Sequence, residues 1–190
     1  SGCSTLAANF ANAAAHAGRG RVLLLDLDQG SGWSRSMIPS HGVHTLIDIL
    51  EAGAPIDEQG WRRFVSRFEN LDLIAAGRPN PRHPLLASQL RQMLDYAVGQ
   101  YKLTCADLSG NFEAFSVEVM RRSKNIFLVT STDVATLSLA QHRARLLQSL
   151  DLLDKTSLLL TRMAERPEIS AADVRRDVGL PVAAEIRLDD

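Results

Sequence analysis

Six short apolar runs punctuate the chain, each only a few residues long. They are "RVLLLDLD" (21–28), "LDLIAAG" (71–77), "YKLTCADLSG" (101–110), "NIFLVTS" (125–131), "KTSLLLTR" (155–162) and "PVAAEI" (181–186). Apolar residues on consecutive positions, rather than alternate ones, mark strands covered on both faces, as parallel strands are. Between the runs lie stretches with apolar residues three or four apart, which predict helices. These are "STLAANFANAAAHAG" (4–18), "HTLIDILEAG" (44–53), "DEQGWRRFVSRFEN" (57–70), "HPLLASQLRQMLDYAVGQ" (83–100), "FEAFSVEVMRRS" (112–123), "DVATLSLAQHRARLLQSLD" (133–151) and "SAADVRRDVG" (170–179). In the helix from Asp133 the pattern places Ala135, Leu139, Leu146 and Leu150 near one face, with Gln141, Arg143 and Arg145 elsewhere. Trp61, Phe64 and Phe68 recur at helical spacing and read as core, with Arg62, Arg63 and Arg67 on the other side of their helix.

Strand and helix alternate almost throughout. The predicted fold is α/β, a mostly parallel sheet with helices on both faces. In such sheets ligands sit beyond the carboxyl ends of the strands. The first helix has no strand before it, and "AEIRLDD" stops just after a strand, so the sequence reads as one domain over 1–190 that lacks its first strand and its C-terminal helices.

Composition narrows the class without naming a function. The 190 residues are 45% hydrophobic, enough for a full core, and the formal net charge of -1 leaves no whole-domain electrostatic footprint for nucleic acid. Clusters such as Arg121, Arg122 and Lys124 read as solvated faces. Cys3 and Cys105 make no disulfide framework, which points to a reducing, cytoplasmic setting, and Cys105 reads as a core residue. His16, His41, His44, His83 and His142 show no ligand spacing. Trp33, in the glycine and serine loop "QGSGWSRSM", reads equally as a loop contact or a packed anchor.

The candidate chemistry begins at residue 1. "SGCST" runs directly into a helix, and it fits the end of a phosphate-binding loop, G-K-[ST]-[ST], with Cys3 at the lysine position. In such loops glycines admit phosphate oxygens to the backbone amides at the helix start. Taken alone, the stretch reads equally as a glycine turn capped by Ser4 or Thr5. Asp26 and Asp28 end the strand that follows the first helix, and Asp107 ends a later strand just before Ser109 and Gly110. Three strand-end carboxylates after a glycine loop suit a hydrated magnesium ion and a positioned water. Each singly also fits a turn cap.

In order, "GCSTLAANFA", "RVLLLDLDQGSG", "HTLIDILEAGAPID", "LDLIAAG", "YKLTCADLSG", "NIFLVTSTDVATL", "SLLLTR" and "GLPVAAEIRLDD" resemble the ParA/MinD superfamily of P-loop ATPases over essentially the whole chain. Within it the degenerate loop, "HTLIDILEAGAPID" and the ending resemble the CpaE/TadZ branch, ATPase-like proteins of type IVb (Flp, or tight-adherence) pilus assembly. The resemblance implies a three-layer P-loop NTPase-type fold that binds ATP or ADP with Mg2+. It makes Gly2, Cys3, Ser4 and Thr5 the end of the phosphate loop, with Ser4 on magnesium and Thr5 near the α-phosphate. It gives Asp28 to the attacking water, Asp26 to the magnesium surroundings, Asp107 to the magnesium as Walker B aspartate, and Ser109 and Gly110 to a switch that senses the γ-phosphate. Thr161 and Arg162 would lie beside the base, and Asp189 near the end of the base-binding loop.

The departures from the pattern bear on activity. Cys3 cannot supply the charge of the absent lysine, and loss of one preorganised stabiliser of the transition state costs about 10²–10³ in rate. Thr161 stands where the superfamily often has Asn, and Arg187 where it tends to have Pro. The resemblance therefore implies an ATPase-like localisation or scaffold protein whose hydrolysis is weak or lost. It would be a homodimer recruiting pilus or secretion machinery, cytoplasmic and drawn to the inner membrane or cell pole through other components. The alternatives are an active positioning or partitioning ATPase and an interaction module with a dead nucleotide site. A receiver-like domain before Ser1 is left open.

Overall fold

The computed structural model describes residues 2–18, 20–29, 45–51, 56–75, 77, 85–163 and 169–187. The elements in chain order are α1 (Cys3–His16), β1 (Val22–Asp26), α2 (Leu46–Glu51), α3 (Glu58–Phe64), β2 (Ser66–Phe68), β3 (Leu71–Ala75), α4 (Ala87–Gln100) and β4 (Leu103–Asp107), then α5 (Ala114–Arg122), β5 (Ile126–Thr130), α6 (Val134–Ser149), a 3-10 turn (Leu153–Lys155), β6 (Thr156–Met163), α7 (Ala171–Val178) and β7 (Val182–Arg187). The α/β fold with mostly parallel sheets flanked by helices is the one the alternating pattern predicts. Two compact units are present, Ser4–Val119 and Ser1–Cys3 with Met120–Asp190.

The Ser4–Val119 unit is built on a four-stranded sheet in the order β2-β3-β1-β4. β1 runs parallel to both β3 and β4, and β2 is an antiparallel edge strand. All five residues of β1 are buried, because the strand is covered on both faces. Val22 and Leu24 pack with Ala11, Ala15, Leu73 and Ala75 under α1. Leu23 and Leu25 point the other way, into a core with Trp61, Ile74, Leu90, Met93, Phe115 and Val119. Full burial of one such leucine contributes about 1.5–3 kcal/mol. This unit therefore has three layers, helix, sheet and helix.

The sequence pattern misplaces one element here. The helix expected over 57–70 stops at Phe64, and Ser66–Phe68 forms β2 instead. Asp57 caps α3 by accepting from the Gly60 N–H, and Val65 leaves the helix in extended backbone, its N–H closing on the Trp61 carbonyl. Glu69, at φ 49, and Asn70 turn the chain so that Phe68 pairs with Leu71. Trp61 is buried as expected, but Phe68 is exposed and Arg67 lies on the strand. The cross-strand pairing overrides a spacing that mimics a helix.

A polar chain runs through this core. Asp72 on β3, fully buried, accepts from the Arg21 guanidinium and from the Tyr101 hydroxyl at 2.5 Å. Trp61 Nε1 donates to the same hydroxyl at 2.8 Å, and the Arg21 guanidinium carbon lies 5.5 Å from the centre of the Tyr101 ring. Burial, then the hydrogen bond to Asp72, push the Tyr101 phenol up to about 12.

In the unit containing Met120–Asp190, β5, β6 and β7 form a parallel sheet in that order. Leu128, Leu158 and Leu160 pack with Leu137, Ala140 and Ala144 of α6 and with Val174 and Val178 of α7. α6 thus buries Leu137, Ala140, Ala144 and Leu147, not the stripe expected, since Leu139 and Leu146 are exposed. Alanines at 140 and 144 let the helix axis approach the sheet more closely than leucines would. β7 also departs from the expectation of two-sided burial. It is an edge strand of its sheet and is largely exposed. Ser170 and Asp173 form a reciprocal capping box at the start of α7, and Gly179, at φ 77, ends it.

Candidate functional site

Small residues set the position of α1. Ala11 and Ala15 are buried, and Ala7, Ala8 and Ala14 pack partly buried against the sheet. The helix direction follows from two contacts. At its C-terminal end Asn12, Ala15 and His16 line a shallow cleft with Phe68, Asn70 and Leu71, where β3 begins. Nearer its start the Ala7 carbonyl accepts from the Cys105 thiol at 3.8 Å, two residues before β4 ends. From Ala7 back to Ser4 the helix rises ~4.5 Å, and from Cys105 to Asp107 the strand advances ~6.6 Å. The first turn of α1 therefore lies at the carboxyl edge of the sheet.

That edge holds the two aspartates. β1 and β4 are neighbours, and their register sets Asp26 directly beside Asp107. Adjacent strands lie about 4.8 Å apart, and residues in register on parallel strands point to the same face. Asp26 shares its face with Val22 and Leu24, and Asp107 with Leu103 and Cys105, all packed on the α1 side. Both aspartates are buried, 2% and 3% exposed, so the pair sits at the edge of the core and not on a solvated turn. The Leu27 N–H donates to the Asp107 carbonyl at 2.9 Å, which extends the pairing one residue past Asp26.

The sequence-predicted residues fall as follows. Asp26 and Asp107 are brought together. Ser4 and Thr5 lie in the first turn of α1, on the same edge. Asp28 does not end the strand, as expected, but lies two residues beyond it, half-buried, its N–H donating to Asp26 Oδ1 at 3.2 Å. The run "VLLLD" is the part covered on both faces, and the Asp26 carboxylate turns the chain out after it. Gly2, at φ 75, leads into α1, whose first residue is Cys3. In the other unit Thr161 is buried in β6 and its hydroxyl donates to the Thr130 carbonyl at 3.3 Å. Arg162 follows it on β6, its side chain outside the described part, and Asp189, Trp33, His41, His44 and His83 lie outside the described residues. Cys105 is partly buried against the α1 side of the sheet, and that burial, then the Asp107 charge, push its thiol up to about 11.

One member of the site was not anticipated. Ser109 and Gly110 follow β4 as expected, and the Ser109 hydroxyl donates to both carboxylate oxygens of Glu113, at 2.8 and 2.6 Å. Ser116, fully buried in α5, donates to Glu113 Oε2 at 3.2 Å. Burial pushes the Glu113 carboxyl up, but hydrogen bonds from Ser109, Ser116 and Asn111 outweigh it and hold it below the usual glutamate value. In sequence Glu113 falls inside the helix expected over 112–123, so nothing in the spacing marked it.

Among the described residues no group of three or more His, Cys, Asp and Glu could hold a metal unaided. Two carboxylates and the Ser4 hydroxyl are hard oxygen donors. That set suits Mg2+ held through one or two carboxylates with the remaining ligands from water and phosphate, and not a soft metal. No helix among the described residues is long and apolar enough to cross a membrane.

No protein-family model matches the chain, and no curated protein does. Solved structures do. A ParA family ATPase from Chlorobium tepidum TLS superposes with a TM-score of 0.87 at 20% identity, over 100% of this chain and 80% of that one. The septum site-determining protein MinD from Pyrococcus horikoshii OT3, complexed with Mg-ADP, gives 0.74 at 20% identity over 99% and 76%. A putative plasmid partition protein from Borrelia burgdorferi B31, bound to AMPPNP, gives 0.74 at 15% identity over 100% and 82%. The chain has the α/β fold of the ParA and MinD ATPases.

Proposed function

We propose that the chain is a nucleotide-binding, ATPase-like protein of the ParA/MinD kind, with Mg2+ as companion ion and hydrolysis weak or lost. One observation carries the reading: the buried Asp26–Asp107 pair in register, on the face and at the edge where α1 begins. A helix start supplies amides for an anion and the carboxylates supply oxygens for a cation, which together match a magnesium phosphate. Bound Mg2+ would supply charge neutralisation on the phosphates. This chain's part is to hold it through Ser4, Asp26 and Asp107, to cradle phosphate with the amides of residues 2–5, and to orient water from Asp28. Thr161, Arg162 and Asp189 are assigned to the base. The similar structures complexed with Mg-ADP and bound to AMPPNP support the nucleotide class.

Cys3 makes the protein a platform more than a cycling switch. A thiol does not reproduce the lysine charge, while the backbone amides still hold phosphate. We assign it, on the sequence resemblance, to type IVb pilus assembly as a homodimeric CpaE/TadZ-like scaffold recruiting secretion-machine proteins at the inner membrane or pole. The test is calorimetry with Mg-AMPPNP together with steady-state ATP turnover. Binding with near-absent turnover, and a rise of about 10²–10³ in rate for Cys3→Lys, supports the reading. Brisk turnover by the unaltered chain would sink it. That outcome would favour a second reading, an active positioning or partitioning ATPase, which the likeness to a septum site-determining protein and a putative plasmid partition protein supports.

A further inference from the structure

The donor that follows Asp107 is already taken. Ser109 lies two residues past the end of β4, at the carboxyl edge where an open parallel sheet receives its ligand. Its single hydroxyl proton is directed at a carboxylate from its own chain, with both Glu113 oxygens within 2.8 Å. The loop reaches this closure through Phe112, which adopts φ 54, a left-handed backbone that a bulky residue enters only when its surroundings hold it there. Glu113 is anchored from behind by the buried Ser116 hydroxyl, and its carbonyl accepts the first turn of α5 from the Val117 N–H at 3.0 Å. A planar, charged, two-oxygen acceptor on a serine hydroxyl offers the same hydrogen-bond chemistry as two oxygens of a phosphoryl group.

We propose that Glu113 is an internal placeholder for the terminal phosphoryl group of the bound nucleotide, a carboxylate latch that closes the 108–113 loop on itself until that group displaces it from Ser109. The inference rests on the nucleotide reading above and adds a regulatory contact to the same site. Glu113 is a positioning residue, acting on the ligand only through Ser109. An anion arriving at Ser109 must break a charge-assisted bond and overcome the repulsion of a like charge beside it. A ligand without a terminal phosphoryl group has no reason to open the loop. The latch therefore weakens nucleoside triphosphate binding selectively.

The test uses the full chain, its Glu113→Gln variant and a Ser116→Ala variant. Binding of Mg-AMPPNP and of Mg-ADP is measured by calorimetry, with hydrogen exchange of the 108–113 amides in the absence of nucleotide. Glu113→Gln keeps the shape and a carbonyl acceptor but removes the charge. The latch predicts that it binds Mg-AMPPNP roughly tenfold tighter, since hydrogen bonds to charged groups exceed neutral ones by about that margin. Mg-ADP affinity stays within about twofold, and the loop amides exchange faster. Ser116→Ala removes the anchor and leaves the charge, so it loosens the same latch and moves the ratio of the two affinities in the same direction as Glu113→Gln, by less. Equal Mg-AMPPNP binding by the unaltered chain and Glu113→Gln overturns the latch and leaves the nucleotide reading standing. Binding of neither nucleotide by either protein overturns both.

Discussion

Replacing Tyr101 by Phe removes one oxygen atom from the buried chain Arg21–Asp72–Tyr101–Trp61 and leaves the ring in place. Two hydrogen bonds go with it, the one to the Asp72 carboxylate at 2.5 Å and the one from Trp61 Nε1 at 2.8 Å. A hydrogen bond to a charged group contributes about 1.5–3 kcal/mol, and a buried donor left unmatched costs about 1–3 kcal/mol. The two effects share one atom and overlap, so the expected loss is about 3 kcal/mol. For a chain of this size each kcal/mol moves the midpoint by about 2–4 °C, which gives a fall in Tm of about 6–12 °C. Circular dichroism melts and urea titrations of the two proteins measure it. The same oxygen sets an alkaline signature. The folded phenol titrates at about 12 against 10.0 for the free group. A pKa raised by folding means the native state holds its proton longer than the unfolded state. The stability from this group is then complete below pH 10 and is lost as pH rises from 10 towards 12. Tyr101→Phe should remove that share of the alkaline decline. A loss below about 1 kcal/mol, or an alkaline decline identical in the two proteins, would refute the account of the buried chain.

Three further outcomes test the packing. Leu147→Ala, on the buried face of α6, should cost about 2–5 kcal/mol by urea denaturation, whereas Leu139→Ala on its exposed face should stay within about 0.5 kcal/mol; equal losses would mean the helix is rotated from the position described. Gly77→Ala would place a Cβ 2.5 Å from Thr45 Oγ1 at φ 87. Both strains point the same way, and a loss of about 2 kcal/mol in chemical denaturation is expected, with no loss as the opposing result. Ser170→Ala removes one half of the capping box of α7 and should lower stability by about 1 kcal/mol, with faster hydrogen exchange confined to the first turn of that helix.

Sequence patterning reached the elements that are covered on two sides. β1 was legible because burial on both faces leaves no polar position inside "VLLLD". β2 was not, because Trp61, Phe64 and Phe68 repeat at helical spacing and the partner that makes 66–68 a strand arrives only with Leu71–Leu73. The buried face of α6 was not legible either. Leucines lie on both of its stripes, and the choice between them turns on Ala140 and Ala144 being small enough to touch a sheet whose position the helix pattern does not contain. At the site, residue types and strand ends were readable, but the pairing of Asp26 with Asp107 is a property of strand order. Spacing along the chain cannot encode that β1 and β4 are neighbours. Glu113 escaped for a related reason, since its partner Ser109 becomes close only after Phe112 takes a left-handed backbone.

The alanines of α1 carry a consequence at a distance from where they sit. Ala7, Ala11 and Ala15 act as spacers of one methyl thickness between the helix and the strands, so the height of the first turn above Asp26 and Asp107 is fixed by side chains that touch no ligand. Enlarging Ala11 to valine or leucine would wedge the helix outward and swing its start like a lever arm pivoting near His16, with the largest displacement at residues 2–5. The nucleotide affinity proposed above would therefore be open to tuning from the helix underside, by changes of volume alone.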